Sequence, residues 1–300
     1  MSRKFYTLDV FTSTNLTGNP LAVVLDCEGL DDQKMQAIAT EFNLSETVFV
    51  FPPKNKENRA AIQIYTPAHE LPFAGHPTIG TAILLNQLVR PDDGEEFVLE
   101  EKIGPIRCMI SGSEPSKAAR FDLPKLSEQL SWEFDLDLMA QALGLESDDL
   151  EFGEHLVGLW NGGVPYTMVP VKSMEVIQRI KIDTNKLAKV EPMFGGIAAN
   201  PYVYCAGGET ADTDFHARMF APLFGIPEDP ATGSAVASFS GLLAQVEMDD
   251  TDQRTFKIEQ GYEMGRPSQI YLDMEKRNGE VVSAGISGSA VIVSEGFLRL

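Results

Sequence analysis

The chain has 300 residues, 43% of them hydrophobic and 23% charged, which supplies a sizeable core over a length that suggests two domains. Its 44 acidic residues against 24 basic ones give a formal charge of −20. That balance disfavours nucleic acid and anionic membranes as partners, since both are polyanions, but it leaves room for a locally positive pocket that takes a small anion.

Residues 5–11 alternate as a strand, Gly18-Asn19-Pro20 marks a turn, and residues 21–25 return, so the chain is expected to open with a hairpin. Asp31 and Asp32 open a helix with Met35, Ile38, Ala39 and Phe42 on one face, and Asn43 suits its end. Leu44-Ser45-Glu46-Thr47 leads into an apolar run at 48–51, a polar loop covers 52–58, and residues 60–66 read as a strand. A loop dense in proline and glycine, 67–77, then delivers a stretch without charge at 78–89. Strands are predicted at 95–101, 106–110 and 118–123, followed by a connector at 124–131. The second half repeats this order loosely. A helix at 136–144 precedes strands at 155–160 and 166–169, two short helices within 173–190, and strands at 202–206 and 215–220. The proline-rich loop 221–230 leads into a second uncharged stretch at 232–246. Strands at 255–260, 268–273, 281–286 and 290–293 complete the chain, with Gly285-Ile-Ser-Gly-Ser-Ala290 predicted as a hairpin turn between the last two.

A helix with no charged face is normally buried on all sides. The two uncharged stretches are entered in the same way, Pro77-Thr-Ile-Gly-Thr-Ala82 and Pro230-Ala-Thr-Gly-Ser-Ala235. This short match gains weight from the matching order of elements around it. The expected architecture is α+β, with two pseudo-symmetric domains, each a mostly antiparallel sheet wrapped around a central helix. The domains are placed at 1–126 and 127–300, with the last strand free to return to the first. Helix starts carry unpaired N–H groups and partial positive charge, so two of them facing one cleft would hold an anion or an enolate-like oxygen.

One ionisable residue stands beside each start: His76 before the first helix and Asp229 before the second. Glu46 lies between a helix end and a strand. Taken singly, each has an ordinary structural role open to it: a turn or capping histidine, a helix N-cap aspartate, a surface carboxylate. Together, a carboxylate, an imidazole and a second carboxylate beside glycine- and proline-shaped backbone suit the movement of a proton from one carbon to another. A base removes it, N–H donors hold the oxyanion, and an acid returns it elsewhere. His69, Glu70 and His76 lack the H-E-x-x-H spacing, so no metal is expected. No Gly-x-Gly-x-x-Gly or Walker-type lysine motif is present. His155 and His216 fall in strand-like runs and read as structural. The glycines and proline of 260–268 fit a tight turn as well as a pocket border.

Gly18-Asn-Pro-Leu-Ala-Val23, Leu44-Ser-Glu-Thr-Val-Phe49, Thr66-Pro-Ala-His-Glu-Leu-Pro-Phe-Ala-Gly-His-Pro-Thr78, Glu228-Asp-Pro-Ala-Thr-Gly-Ser-Ala235 and Gln260-Gly-Tyr-Glu-Met-Gly-Arg-Pro-Ser268 resemble, in order, segments of the phenazine-biosynthesis PhzF-like family. The resemblance spans most of the chain. It implies a diaminopimelate-epimerase-like fold, a homodimer, no cofactor, and isomerisation of a small, carboxylate-bearing substrate. By the same resemblance Glu46, His76 and Asp229 are the catalytic residues. Gly75, Gly233 and Ser234, with the His76 N–H, bind substrate. Glu46 would shuttle the proton from a pocket that raises its pKa.

Related epimerases and proline racemases use two cysteines at the helix starts. Cys27, Cys108 and Cys205 fall at neither, which argues for a one-sided glutamate mechanism. Odd in number and in no C-x-x-C pattern, they predict reduced thiols and a cytoplasmic protein. Asp9 interrupts any signal-peptide core after Arg3 and Lys4. Two alternatives stay open: a racemase or epimerase of small amino or hydroxy acids, marked by solvent deuterium entering with inversion, and a non-catalytic interaction protein on the same fold, marked by indifference to Glu46→Gln.

Overall fold

The computed structural model describes residues 2–88, 96–112, 117–194 and 197–300. The chain divides into two compact units, Met1–Asp122 with Ser287–Leu300, and Leu123–Ile286.

In the first unit, β1 (Ser2–Val10) and β2 (Asn19–Val24) form the expected antiparallel hairpin. Helix α1 (Asp32–Phe42) starts where Asp31 accepts a hydrogen bond from the Lys34 N–H, and it ends on Asn43 in the left-handed conformation. It buries Met35, Ile38 and Ala39 and hands the chain to β3 (Glu46–Phe51), which runs parallel to β2. Then β4 (Ala60–Tyr65) pairs antiparallel with β3, and the two-residue β5 (Glu70–Leu71) with β4. Helix α2 (Gly75–Leu88) follows, buried without interruption from Gly75 to Leu85. After it, β6 (Glu96–Glu101) runs parallel to β4, and β7 (Gly104–Ser111) and β8 (Ala118–Asp122) continue antiparallel. Strands from both ends of this series, β1 to β3 at one end and β7 and β8 at the other, touch α2, so the sheet curls around it. Gly80 allows the close approach: a Cβ there would lie 2.6 Å from Leu21 Cδ2 and 2.8 Å from Val10 Cγ2.

The second unit begins with β9 (Glu128–Leu130), helix α3 (Leu136–Leu143, capped by Asp135 and Gly144) and β10 (Gly158–Asn161), which pairs with β9. Antiparallel β11 (Pro165–Pro170) follows, then the short helices α4 (Met174–Gln178) and α5 (Thr184–Val190). The two-residue β12 (Met193–Phe194) and β13 (Ile197–Ala198) pair with each other. Then β14 (Pro201–Ala206) runs parallel to β11, while β15 (Phe215–Ala221) and β16 (Ile226–Asp229) return antiparallel. Helix α6 (Gly233–Val246) is buried along most of its length, and β9, β10, β11 and a later strand touch it. That later strand is β18 (Ser268–Arg277), antiparallel to β17 (Asp252–Gln260), which itself runs parallel to β15. Each unit thus runs through the same series of pairings: antiparallel, parallel, antiparallel, antiparallel, helix, parallel, antiparallel.

Several expectations need correcting. Residues 285–290 make no turn: β19 (Glu280–Arg299) is one strand of 20 residues, and its end pairs with β1 from Ala290 to Arg299. Glycine inside a strand only weakens it, and here Ala284, Gly285 and Ile286 are all buried and alternating burial runs from Ile286 through Gly288 to Ala290. The first uncharged helix starts at Gly75 rather than residue 78, which puts His76 and Pro77 in its first turn, where proline costs no hydrogen bond. Its expected end at Val89, and the expected strand start at Glu95, lie outside the described residues. Strand β10 starts at Gly158, because residue 155 forms only an isolated bridge with Phe152.

Candidate active site

Three segments of the first unit place their starts together. The parallel register of β2 and β3 sets Leu21 beside Glu46, so the first residues of both strands come to one end of the sheet. Asn19 opens β2, Glu46 opens β3, and the first turn of α2 carries Gly75 and His76. His76 Nε2 lies 3.2 Å from Glu46 Oε2, a hydrogen-bond separation, although the ring N–H direction is not aligned with that oxygen. On its other side the ring takes a hydrogen bond from the Asn19 amide, 3.3 Å from Nδ1. That bond leaves the ring proton on Nε2, the nitrogen facing Glu46.

Burial pushes the His76 pKa down to about 3, so the imidazole is neutral at working pH and its contact with Glu46 is not an ion pair. The Glu46 side chain keeps 13% exposure against 5% for His76, so Glu46 is the more open of the two to a small molecule. Within this unit the structure therefore brings Glu46, His76 and Gly75 together. It adds Asn19, which sequence reasoning took for part of a turn. Asn19 stood inside one of the segments carrying the family resemblance, but its partner is 57 residues away in the chain.

The second unit holds Asp229, Gly233 and Ser234. Asp229 ends β16 and pairs with Met219 of β15, so it is not the helix cap. Thr232 is the N-cap residue, yet its side chain caps no helix N–H; its hydroxyl sits 2.5 Å from Asp229 Oδ2. Helix geometry leaves the N–H groups of Gly233 and Ser234 without intrahelical acceptors. The Ser234 hydroxyl meets the Tyr166 hydroxyl at 2.8 Å. Gln260, fully buried at the end of β17, binds both Asp229 and Thr232. Tyr166 carried no signal in the sequence beyond a strand, and Gln260, which opens one of the segments carrying the family resemblance, read only as part of a turn or pocket border.

His155 is held between the Tyr204 hydroxyl at 3.0 Å and Glu247 at 2.9 Å, and His216 lies 3.1 Å from Glu263, both structural positions. The three cysteines are free and buried. Burial pushes the Cys27 and Cys205 thiols up to about 12, and Cys108 higher still, so none supplies a thiolate near neutral pH.

A mixed, sheet-dominated fold with few helices is the class in which this chain's structural neighbours are found. The family described as phenazine biosynthesis-like protein matches residues 8–296, and the chain belongs to that family. An uncharacterized isomerase of Mesorhizobium japonicum is 47% identical over 298 residues, covering 99% of both chains. The trans-2,3-dihydro-3-hydroxyanthranilate isomerase of Pseudomonas aeruginosa is 32% identical over 293 residues, covering 98% of both. Among solved structures, a PhzF-family phenazine biosynthesis protein of Bacillus anthracis superposes with a TM-score of 0.89 over 100% of both chains at 24% identity. A hydroxyproline epimerase of Agrobacterium vitis shares the fold, with a TM-score of 0.61 at 13% identity over 99% of this chain and 92% of its own. The protein is an isomerase. Among the described residues, no helix is long and apolar enough to cross a membrane.

Proposed function

We propose that the protein is a cofactor-independent isomerase that moves a proton between two carbons of a small carboxylate-bearing molecule, with Glu46 as the proton carrier. The observation behind this is the Glu46 carboxylate set 3.2 Å from a neutral imidazole at the start of a buried helix. An imidazole that titrates at about 3 is a poor base near neutral pH, so the carboxylate is left to take and return the proton. Glu46 accepts a proton from carbon, and the C–H electron pair moves into an enol-like intermediate. The Glu46 acid then protonates a second carbon, and no electrons are lost or gained. His76 donates through Nε2–H. The N–H groups of Gly75, His76, Gly233 and Ser234 are assigned to binding substrate oxygens, and Asp229 to catalysis.

The recurring pairing order in the two units supports a diaminopimelate-epimerase-like plan of two pseudo-symmetric domains. A cytoplasmic homodimer is part of the same proposal; sedimentation of a dilute sample at the chain mass of 32.9 kDa would contradict it. The racemase alternative has less support, because its two-thiol form finds all three cysteines buried and protonated. The relative's substrate, trans-2,3-dihydro-3-hydroxyanthranilate, is the first probe. With a chelator present and no cofactor added, its proton NMR signals are expected to give way to those of an isomer of equal mass. Conversion that starts only when a cofactor or metal is supplied would contradict the proposal.

A further inference from the structure

Gln260 closes β17 and is wholly buried. Its amide is engaged on every side. Oε1 accepts from the Thr232 N–H at 3.1 Å, while Nε2 donates to the Asp229 carbonyl at 2.7 Å and to Thr232 Oγ1 at 3.0 Å. Turning the amide over would set NH2 against N–H and oxygen against carbonyl, so these partners fix which end is which. A hydroxyl has one proton. Because Gln260 donates to Thr232 Oγ1, the proton of that hydroxyl is left for Asp229 Oδ2, 2.5 Å away. A threonine at this position ordinarily accepts from a first-turn N–H of its helix; here it is turned away to Asp229.

The strand end that carries Gln260 is pinned from behind. Glu259, just before it, accepts from Thr213 Oγ1 at 2.5 Å, Thr210 Oγ1 at 2.7 Å and the Glu209 N–H at 2.8 Å. Glu263, three residues after it, lies 3.1 Å from His216 Nε2. Gly261 has φ +82, and a Cβ there would lie 2.5 Å from the Pro230 carbonyl, so the turn after Gln260 lies close against the turn after Asp229. Supports of this kind hold a side chain to one rotamer.

We propose that Gln260 is a positioning residue that sets the orientation of the Asp229 carboxylate through the hydroxyl of Thr232. This rests on the reading in which Asp229 acts on the substrate; Gln260 itself touches none. The isosteric Gln260→Glu, assayed at a pH where its new carboxyl is ionised, keeps an oxygen to accept the Thr232 N–H but donates nothing, whereas Gln260→Leu loses every bond. With trans-2,3-dihydro-3-hydroxyanthranilate as probe, kcat is expected to fall about tenfold or more in both variants while KM stays within about threefold. Amide exchange at Thr232 stays slow in Gln260→Glu, which shows that the helix start survives. In a Thr232→Val background, Gln260→Leu adds little, because the relay is already cut.

Full kcat in Gln260→Glu, or losses that multiply independently in the double variant, would overturn the proposal. The relay is also read without substrate, from the carboxyl carbon-13 resonance of Asp229. That signal shifts alike in Gln260→Leu and Thr232→Val when the relay exists, and an unmoved signal would count it out. Turnover that survives Glu46→Gln would sink the proposed function and leave this coupling as measured.

Discussion

Glu101 ends β6 and is 8% exposed. Its Oε1 lies 2.7 Å from Thr78 Oγ1, and that same hydroxyl lies 2.8 Å from the Ala74 carbonyl. One hydroxyl proton serves both contacts only when Glu101 is itself protonated and donates to Thr78. Its other oxygen has no hydrogen-bond partner among the described residues. Burial pushes the carboxyl from 4.5 up to about 8. Between those values the folded chain holds a proton that the unfolded chain has released. Stability therefore falls as pH rises from 4.5 to about 8 and levels off above. At about 1.4 kcal/mol per pH unit, the group costs about 3 kcal/mol by pH 7. Glu101→Gln keeps the shape and a donor for Thr78 but removes the titration. The variant should match wild type near pH 4.5 and exceed it by about 3 kcal/mol at pH 7, a rise in Tm of roughly 6–12 °C. Calorimetry across that pH range reads the difference. An advantage that does not grow with pH, or none at pH 7, would refute the reasoning. The strut matters to the site because Thr78 stands in the turn of α2 that carries Gly75 and His76.

Three further outcomes follow from the same geometry. Asn19→Ala removes the donor to His76 Nδ1 and should lower kcat roughly tenfold, the equivalent of one hydrogen bond of about 1.4 kcal/mol; an unchanged kcat would remove Asn19 from the site. Nitrogen-15 NMR of the His76 ring should show a neutral Nε2–H tautomer down to pH 4, with stability lost as pH falls from 6.5 toward 3 because only the unfolded ring takes up a proton; a ring that titrates near 6.5 would contradict this. Gly80→Ala should cost about 1–3 kcal/mol in urea unfolding, since its Cβ would sit 2.6 Å from Leu21 Cδ2, and a neutral effect would mean the helix–strand approach is looser than the distances say.

The two buried helices were legible because a dozen consecutive residues without charge leave a helix no face suited to water, and α1 because Asp31 and Asn43 cap it by their own chemistry. The short strands β5, β9, β12, β13 and β16 were missed. Each has two to four residues, too few for alternation to show; β5, β9 and β16 exist because a longer neighbour offers an edge, and β12 and β13 because they pair with each other. The single strand β19 was read as two because its glycines signal a turn locally, whereas the strand runs on through them into its pairing with β1 at the far end of the chain. Glu46, His76 and Asp229 stood out as ionisable residues beside shaped backbone. Asn19 and Gln260 did not, because a neutral amide in a turn segment gains meaning only from a partner 57 residues away in one case and 31 and 28 in the other.

The central claim is that Glu46 carries the proton. The most direct measurement is proton NMR of trans-2,3-dihydro-3-hydroxyanthranilate in deuterated buffer with wild type and with Glu46→Gln, which keeps the side chain's shape but has no carboxylate. Consumption by wild type, and loss of at least about 1,000-fold in the variant, is the result predicted for removal of the proton carrier. Equal turnover by the two proteins would contradict the account, whatever the fold.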